Sequence, residues 1–361
     1  MIHRLVLENL KHRPVRTFLS AIAIGVMVTM ILTLAGMSRG MLGDLKVRSK
    51  GTGADIVVRG PNSAIIGFSG NISEKIVDLV RAEPHVTQVT ATLVQPFGSL
   101  SSITGIHLDE FNRMSGGFRY LEGGPFTGPG EVLLDEVQAK ASKARVGGTF
   151  EMGQKWRVAG IVEQGKLARV FTDIGPLQEQ FSQTGKVTAI WIKVDRPESV
   201  PVVVEALKAK LDTYSVLSLE ELTSLFSADN VPMLKPFTNV IIAISVIVGF
   251  LVVGLSMYTA VLERTREIGT LKAMGASPGY ILGILMRETI LLGIAGTIAG
   301  IVMSFGARWL LLKFVPTFTT VITPDWWPWA AVIALTGAII GAFFPGLKAA
   351  RQDAIEALTY D

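Results

Sequence analysis

Four long apolar runs constrain this 361-residue chain more than any other feature, because about twenty consecutive apolar residues rarely fit a soluble core. They cover approximately residues 18–37, 237–262, 280–304 and 329–344. At about 1.5 Å per helical residue each approaches the roughly 30 Å of a bilayer's hydrocarbon core. The fourth is the shortest and extends outward through Asp325-Trp326-Trp327-Pro328, whose tryptophans suit an interfacial belt. Hydrocarbon offers no partner to a backbone N–H or C=O, so such runs are expected as helices. With 49% hydrophobic and 18% charged residues, the composition agrees. The fold class read here is a membrane protein: four transmembrane α-helices with an extracytoplasmic α+β domain containing a β-rich insertion, between helices one and two.

The first run is too long for a secretory h-region, and no convincing cleavage site follows it. The chain has no cysteine, which excludes disulfides, thiolate metal sites and a lipidated cysteine. Short flanks set the orientation. Arg264, Arg266, Lys272 and Arg287 lie in or near the turn between runs two and three, and Lys348 and Arg351 follow run four. Only Arg308 and Lys313 flank the connection between runs three and four, so the central turn and both termini are expected to be cytoplasmic. Around run one the bias is balanced, with Arg4, Lys11, Arg13 and Arg16 before it and Arg39, Lys46, Arg48 and Lys50 after it.

Roughly two hundred residues of soluble character separate runs one and two, enough for a domain with its own core. Strands are predicted over residues 54–59, 86–94, 102–107, 149–151, 155–162, 187–194 and 214–217. Helices are predicted over 71–82, with an Asn71/Glu74 capping box, and over 199–211. Shorter strands and turns after Gly123-Gly124-Pro125 mark a β-rich insertion near 120–185. The domains are read as 1–50 (N-terminus, first span and stalk), 51–217 (external domain) and 218–361 (second stalk, three spans and tail). Run one is expected to continue as a helix through Lys50. Ser218 with Glu221 can cap a helix leading toward run two, which Pro232 and Pro236 would kink or break.

The segment 263–277 carries most of the functional information. Ile268, Leu271 and Met274 recur at helical spacing, while Glu263, Arg264, Arg266, Glu267 and Lys272 cover the remaining surface. Gly275 suits a left-handed stop, and Ser277-Pro278 suits the start of the next helix. Elsewhere, Gly296 with Gly300 and Gly337 with Gly341 permit close helix contact. Arg287 and Glu288 are adjacent charges inside run three and read as an intramembrane pair near the cytoplasmic face. Catalytic signals are missing: there is no G-x-x-x-x-G-K-[ST] loop, and His3, His12, His85 and His107 show no metal-ligand spacing. The excess of basic residues suits an anionic membrane surface better than nucleic acid.

The string ERTREIGTLKAMGAS at 263–277 resembles the coupling-helix signature of the MacB/FtsX-like ABC transporter permeases, which include LolC and LolE. Two further segments match in order. Leu7-Glu8-Asn9-Leu10 through Arg16-Thr17-Phe18-Leu19-Ser20 resembles the family's first helix. Phe344-Pro345-Gly346-Leu347-Lys348-Ala349-Ala350 with Asp353-Ala354-Ile355-Glu356-Ala357-Leu358 resembles its closing motif, with Ala354 where proline is common. The resemblance implies a permease that holds no nucleotide itself. ATP and Mg are expected on a separate cytoplasmic ABC ATPase, present in two copies, which grips 263–277. A second permease copy, identical or not, completes the membrane part, and lipids surround it. A periplasmic adaptor protein belongs to the efflux version of this arrangement. Export of a hydrophobic or amphipathic compound or of a lipoprotein is the implied role, in a bacterial inner membrane. The alternative is an FtsX-like regulator of external cell-wall hydrolases.

Overall fold

The computed structural model describes residues 14–61, 63, 70–97, 101–227, 229–231 and 234–352. The motif halves at 7–10 and 353–358, His3, His12 and Pro232 lie outside these. In chain order the first elements are α1 (Pro14–Lys50), β1 (Ile56–Arg59), β2 (Ile72–Ser73), α2 (Ile76–Arg81), β3 (Val86–Phe97), β4 (Ser101–Ile106) and α3 (Leu108–Ser115). Next come β5 (Tyr120–Gly123), β6 (Glu131–Asp135), α4 (Glu136–Ser142), β7 (Thr149–Met152), β8 (Gln154–Val162), β9 (Val170–Asp173) and α5 (Ile174–Gln180). The soluble part ends with β10 (Lys186–Val187), β11 (Ala189–Val194), α6 (Val200–Lys210), β12 (Ser215–Ser218) and α7 (Leu219–Leu225). Then follow α8 (Leu234–Glu263), α9 (Thr265–Ala273), α10 (Pro278–Phe314) and α11 (Trp327–Arg351). Two compact units result. One holds the described residues up to Ser38 with Leu234 to Lys313 and those from Thr320 onward, and the other holds Arg39 to Val231 with Phe314–Thr319.

Among the described residues, α1, α8, α10 and α11 are the helices long and apolar enough to cross a membrane, and the first unit is built on them, with α1 contributing up to Ser38. Helix α1 continues to Lys50, as its sequence predicts. Without a hydrophobic drive between helices in lipid, contact depends on close approach, and small residues supply it. A Cβ on Gly296 would stand 2.6 Å from Ile24 Cβ, and one on Gly300 would stand 2.6 Å from the Gly25 carbonyl oxygen. Thr29 adds a hydrogen bond from its hydroxyl to the Gly300 carbonyl at 3.0 Å. Gly341 meets α8 in the same way, with a Cβ there 2.6 Å from Phe250 O, whereas one on Gly337 would reach Val246 at an ordinary 3.8 Å. The glycines thus join spans of one chain. Gly341→Leu is expected to destabilise the protein by about 1–3 kcal/mol, the cost of overpacking a tight contact. Thermal unfolding in detergent checks this, with exposed Ile340→Leu as the control.

The second unit is built on a ten-stranded sheet, counted among the described residues, in the order β12-β1-β11-β3-β4-β9-β6-β8-β5 with β7 on β8. Alternation along the strands sorts side chains to two faces. Val132 and Leu134 of β6 join a large core with α2, α4, α5 and α6, whereas Leu133 faces a smaller one built on Phe111 of α3 and Phe171. The strands of the 120–185 stretch extend the one sheet, through parallel pairing of β4 with β9. The predicted 71–82 helix shortens to α2. Residues 72–73 instead pair with 186–187, the Asn71 amide donates to Gln183 at 2.7 Å, and Glu74 accepts from Gln178 at 3.0 Å. Long-range partners therefore displaced a local capping box. The Ser218/Glu221 box does form, but α7 ends at Leu225, and Pro236 sits in the first turn of α8, where it breaks nothing.

A half-buried polar joint ties this unit together. The Arg169 guanidinium reaches Asp44 on α1 at 3.0 Å, Asp135 at 3.3 Å, and the Thr317 carbonyl and Thr319 hydroxyl at 3.4 Å. It thus links the extended end of α1, the sheet and the loop after α10.

Candidate functional site

The charged segment between α8 and α10 forms a short helix with defined ends. Helix α8 breaks at Arg264, whose backbone (φ −114°, ψ 13°) leaves the helical region. The Thr265 hydroxyl donates back to the Val261 and Leu262 carbonyls at 3.1 and 2.9 Å. At the other end the Ala276 amide donates to Leu271 and the Gly275 amide to Lys272, a Schellman closure that requires the positive φ of Gly275 (97°). The Tyr280 amide then donates to the Ser277 hydroxyl at 3.2 Å as α10 begins.

Two faces of α9 differ sharply. Arg264, Thr265, Ile268 and Gly269 are buried, with Ile268 packed among Met257, Ala260 and Ile281. Leu271 and Lys272 are half-buried, and Lys272 donates to the Gln352 carbonyl. Glu263, Arg266, Glu267, Thr270 and Met274 are exposed, Met274 to 72%. Leu271 and Met274, with Ile281 and Ile284 of α10, line an open apolar groove of about 380 Å³. Met274 adds a flexible apolar side chain to the rim of that groove.

One expectation needs correction. Arg287 and Glu288 do not pair: Glu288 is buried and accepts from Arg264 at 3.2 Å, while Arg287 faces outward. Adjacent helical residues point about 100° apart, so one turned to the bundle and the other away from it. Arg264 therefore anchors α9 to α10, and with Ile268 it lines the inner wall of the groove. The α10 contribution to the groove was missed, although its i, i+3 apolar spacing at Ile281 and Ile284 is visible in the sequence. Among the described residues no cluster of His, Asp and Glu is gathered for a metal. His85 instead faces Asp195 at 3.0 Å, and His107 faces Glu74 at 3.4 Å.

Residues 239–354 match the model of the FtsX-like permease C-terminal domain, and residues 17–210, more than half of the chain, match that of the MacB-like periplasmic core domain. The chain belongs to the MacB/FtsX-like ABC transporter permeases. It is a multi-pass membrane protein of that family, and the core domain lies between its first and second spans. An ABC transporter permease of Methanocaldococcus jannaschii is 28% identical over 221 residues, which is 57% of this chain and 55% of that protein. The macrolide export ATP-binding/permease protein MacB of Burkholderia lata is 39% identical over 124 residues, 34% of this chain and 18% of that one. The chain thus spans about half the length of the first relative and far less of the second. The periplasmic region of MacB from Actinobacillus actinomycetemcomitans aligns over 48% of this chain and 94% of that one, at 15% identity and a TM-score of 0.37.

Proposed function

We propose that this permease transmits force from an ATPase on a separate chain to its core domain, to export a hydrophobic or amphipathic compound. The exposed face of α9 carries the reading. Exposed Glu267 and Thr270 line the groove with Met274 and Leu271, so polar side chains border an apolar anchor, as at interface hot spots. The opposite face is held by Ile268 and the Arg264–Glu288 pair, so a push on α9 is delivered to α8 and α10. Two ATPase copies holding ATP and Mg would act on two permease copies from the cytoplasmic side of a bacterial inner membrane. The macrolide export ATP-binding/permease relative supports the cargo class. A periplasmic adaptor would be a further partner.

Leu271→Asp places a charge in the groove and is expected to weaken ATPase binding about thirtyfold, the scale of one lost hot spot. Co-purification with the ATPase and ATP-driven efflux should fall together, while the protein's melting temperature stays within a few degrees of wild type. Unchanged ATPase binding in a folded Leu271→Asp protein rules out α9 as the contact.

A further inference from the structure

The second unit holds a cavity of about 200 Å³ between the extended end of α1, the sheet and residues 317–319. One water needs only about 10–15 Å³, so the space suits a small molecule. Among the described residues its wall carries three charged side chains, Asp44, Arg48 and Arg169. Both guanidiniums converge on Asp44 Oδ2, Arg48 Nε at 3.1 Å and Arg169 at 3.0 Å. They differ in what else they hold. Arg169 also bonds Asp135, Thr317 and Thr319. Arg48 makes no hydrogen bond to any described residue, although its side chain is only 19% exposed. Gln138, on the same wall, uses its backbone amide on Asp135 and its carbonyl on Ser142, and its side-chain amide bonds no described residue either. Sheltered donors left unused favour a guest that accepts from them.

The chemistry of the wall identifies the guest. Asp135 is 1% exposed and does not line the cavity, so on the wall itself two cations face one anion. A planar carboxylate matches the guanidinium fork, and a monoanion suits this balance better than a phosphate of about −1.5 to −2 charge beside Asp44. Much of the remaining wall is apolar: Met152 and Val170 are 7% and 1% exposed, and Phe318 adds an aromatic ring. A few placed polar groups in an apolar wall orient an amphipathic ligand. We propose that this cavity binds the carboxylate end of an amphipathic carboxylic acid, with Arg48 donating to the carboxylate and Met152, Val170 and Phe318 taking the start of its chain. That such an acid is the exported cargo rests on the export function proposed above; the binding itself does not.

The test titrates the full chain, purified in nonionic detergent, with octanoate, octanamide or acetate in a calorimeter, each corrected by the same titration into detergent alone. Octanoate is expected to bind saturably at one site per chain, and octanamide and acetate each at least about tenfold more weakly. Arg48→Gln is expected to weaken octanoate binding about tenfold, the loss of one charge-assisted hydrogen bond. Ser102→Leu fills the cavity from β4 and leaves both guanidiniums in place, so it keeps the test valid if the arginine variant folds poorly, and it should weaken binding at least as much. Absence of saturable octanoate binding overturns the proposal. Octanamide binding equal to that of octanoate would show apolar contact alone, and acetate binding as tightly would show a site for a bare anion; either overturns it. Octanoate binding unaltered in both variants would place the acid elsewhere and also overturn it. Failure on any of these counts leaves the Leu271→Asp result, and with it the ATPase contact, untouched.

Discussion

Glu288→Leu is expected to lower stability by about 3–5 kcal/mol, the cost of removing one member of a buried ion pair. Both side chains are almost wholly enclosed, at 8% and 1% exposure for Arg264 and Glu288, so little solvent reaches the guanidinium that remains. Arg264 is also the residue at which α8 breaks into α9, so the damage falls on the elbow itself. Arg264→Leu with Glu288→Leu should recover most of the loss, because an apolar pair of similar volume avoids burying a lone charge. Arg287→Gln, next in sequence but outward-facing, is expected to change stability by no more than about 0.5 kcal/mol. Unfolding in detergent distinguishes these outcomes. If the double variant is no more stable than Glu288→Leu alone, the pair is not the unit that holds α9.

Arg169→Met is expected to cost a further large amount, about 3 kcal/mol, by removing the cation between two carboxylates. Asp135 is 1% exposed, and burial raises its pKa above the ordinary aspartate value, opposed by the Gln138 amide, Arg169 and Arg48. A folded-state value above the unfolded one means that ionised Asp135 weakens the fold. Its contribution is therefore most favourable at low pH and is lost as pH rises above the ordinary aspartate range. Without Arg169 the value climbs further, so the deficit of the variant should be larger at about pH 7 than at about pH 5. The same variant releases the Thr317 and Thr319 contacts, and hydrogen exchange across 314–319 should quicken. A deficit independent of pH would mean that Asp135 stays neutral and that lost packing of the arginine accounts for the change.

The two sites differ in how readable they were. The ends of α9 follow from residues within four positions of each other: Thr265 bonding back to Val261, Gly275 closing the helix, Ser277 receiving the Tyr280 amide. Such bonds depend on local geometry that spacing reports directly. The partner of Glu288 sits twenty-four positions away, and the choice between Arg264 and Arg287 depends on which side of α10 faces α8. Periodicity identifies a stripe but does not say which of two neighbouring charges it excludes. Asn71 and Glu74 teach the same lesson inside the sheet domain, where a correct capping pattern lost to Gln183 and Gln178. The joint at Arg169 had no sequence signal at all, since its partners come from α1, β6 and the loop after α10.

By itself the sequence determined the four spanning helices, several of the strands and the 200–210 helix between the first two, and the amphipathic elbow at 265–273. Each of these is decided by short-range periodicity, by length against the bilayer and by cap chemistry. Only the tertiary structure decided the strand order, the use of Gly296, Gly300 and Gly341 within one chain, and the inward turn of Arg264 onto Glu288. Burial and pairing are properties of surfaces that meet, and those surfaces exist only after distant segments have packed.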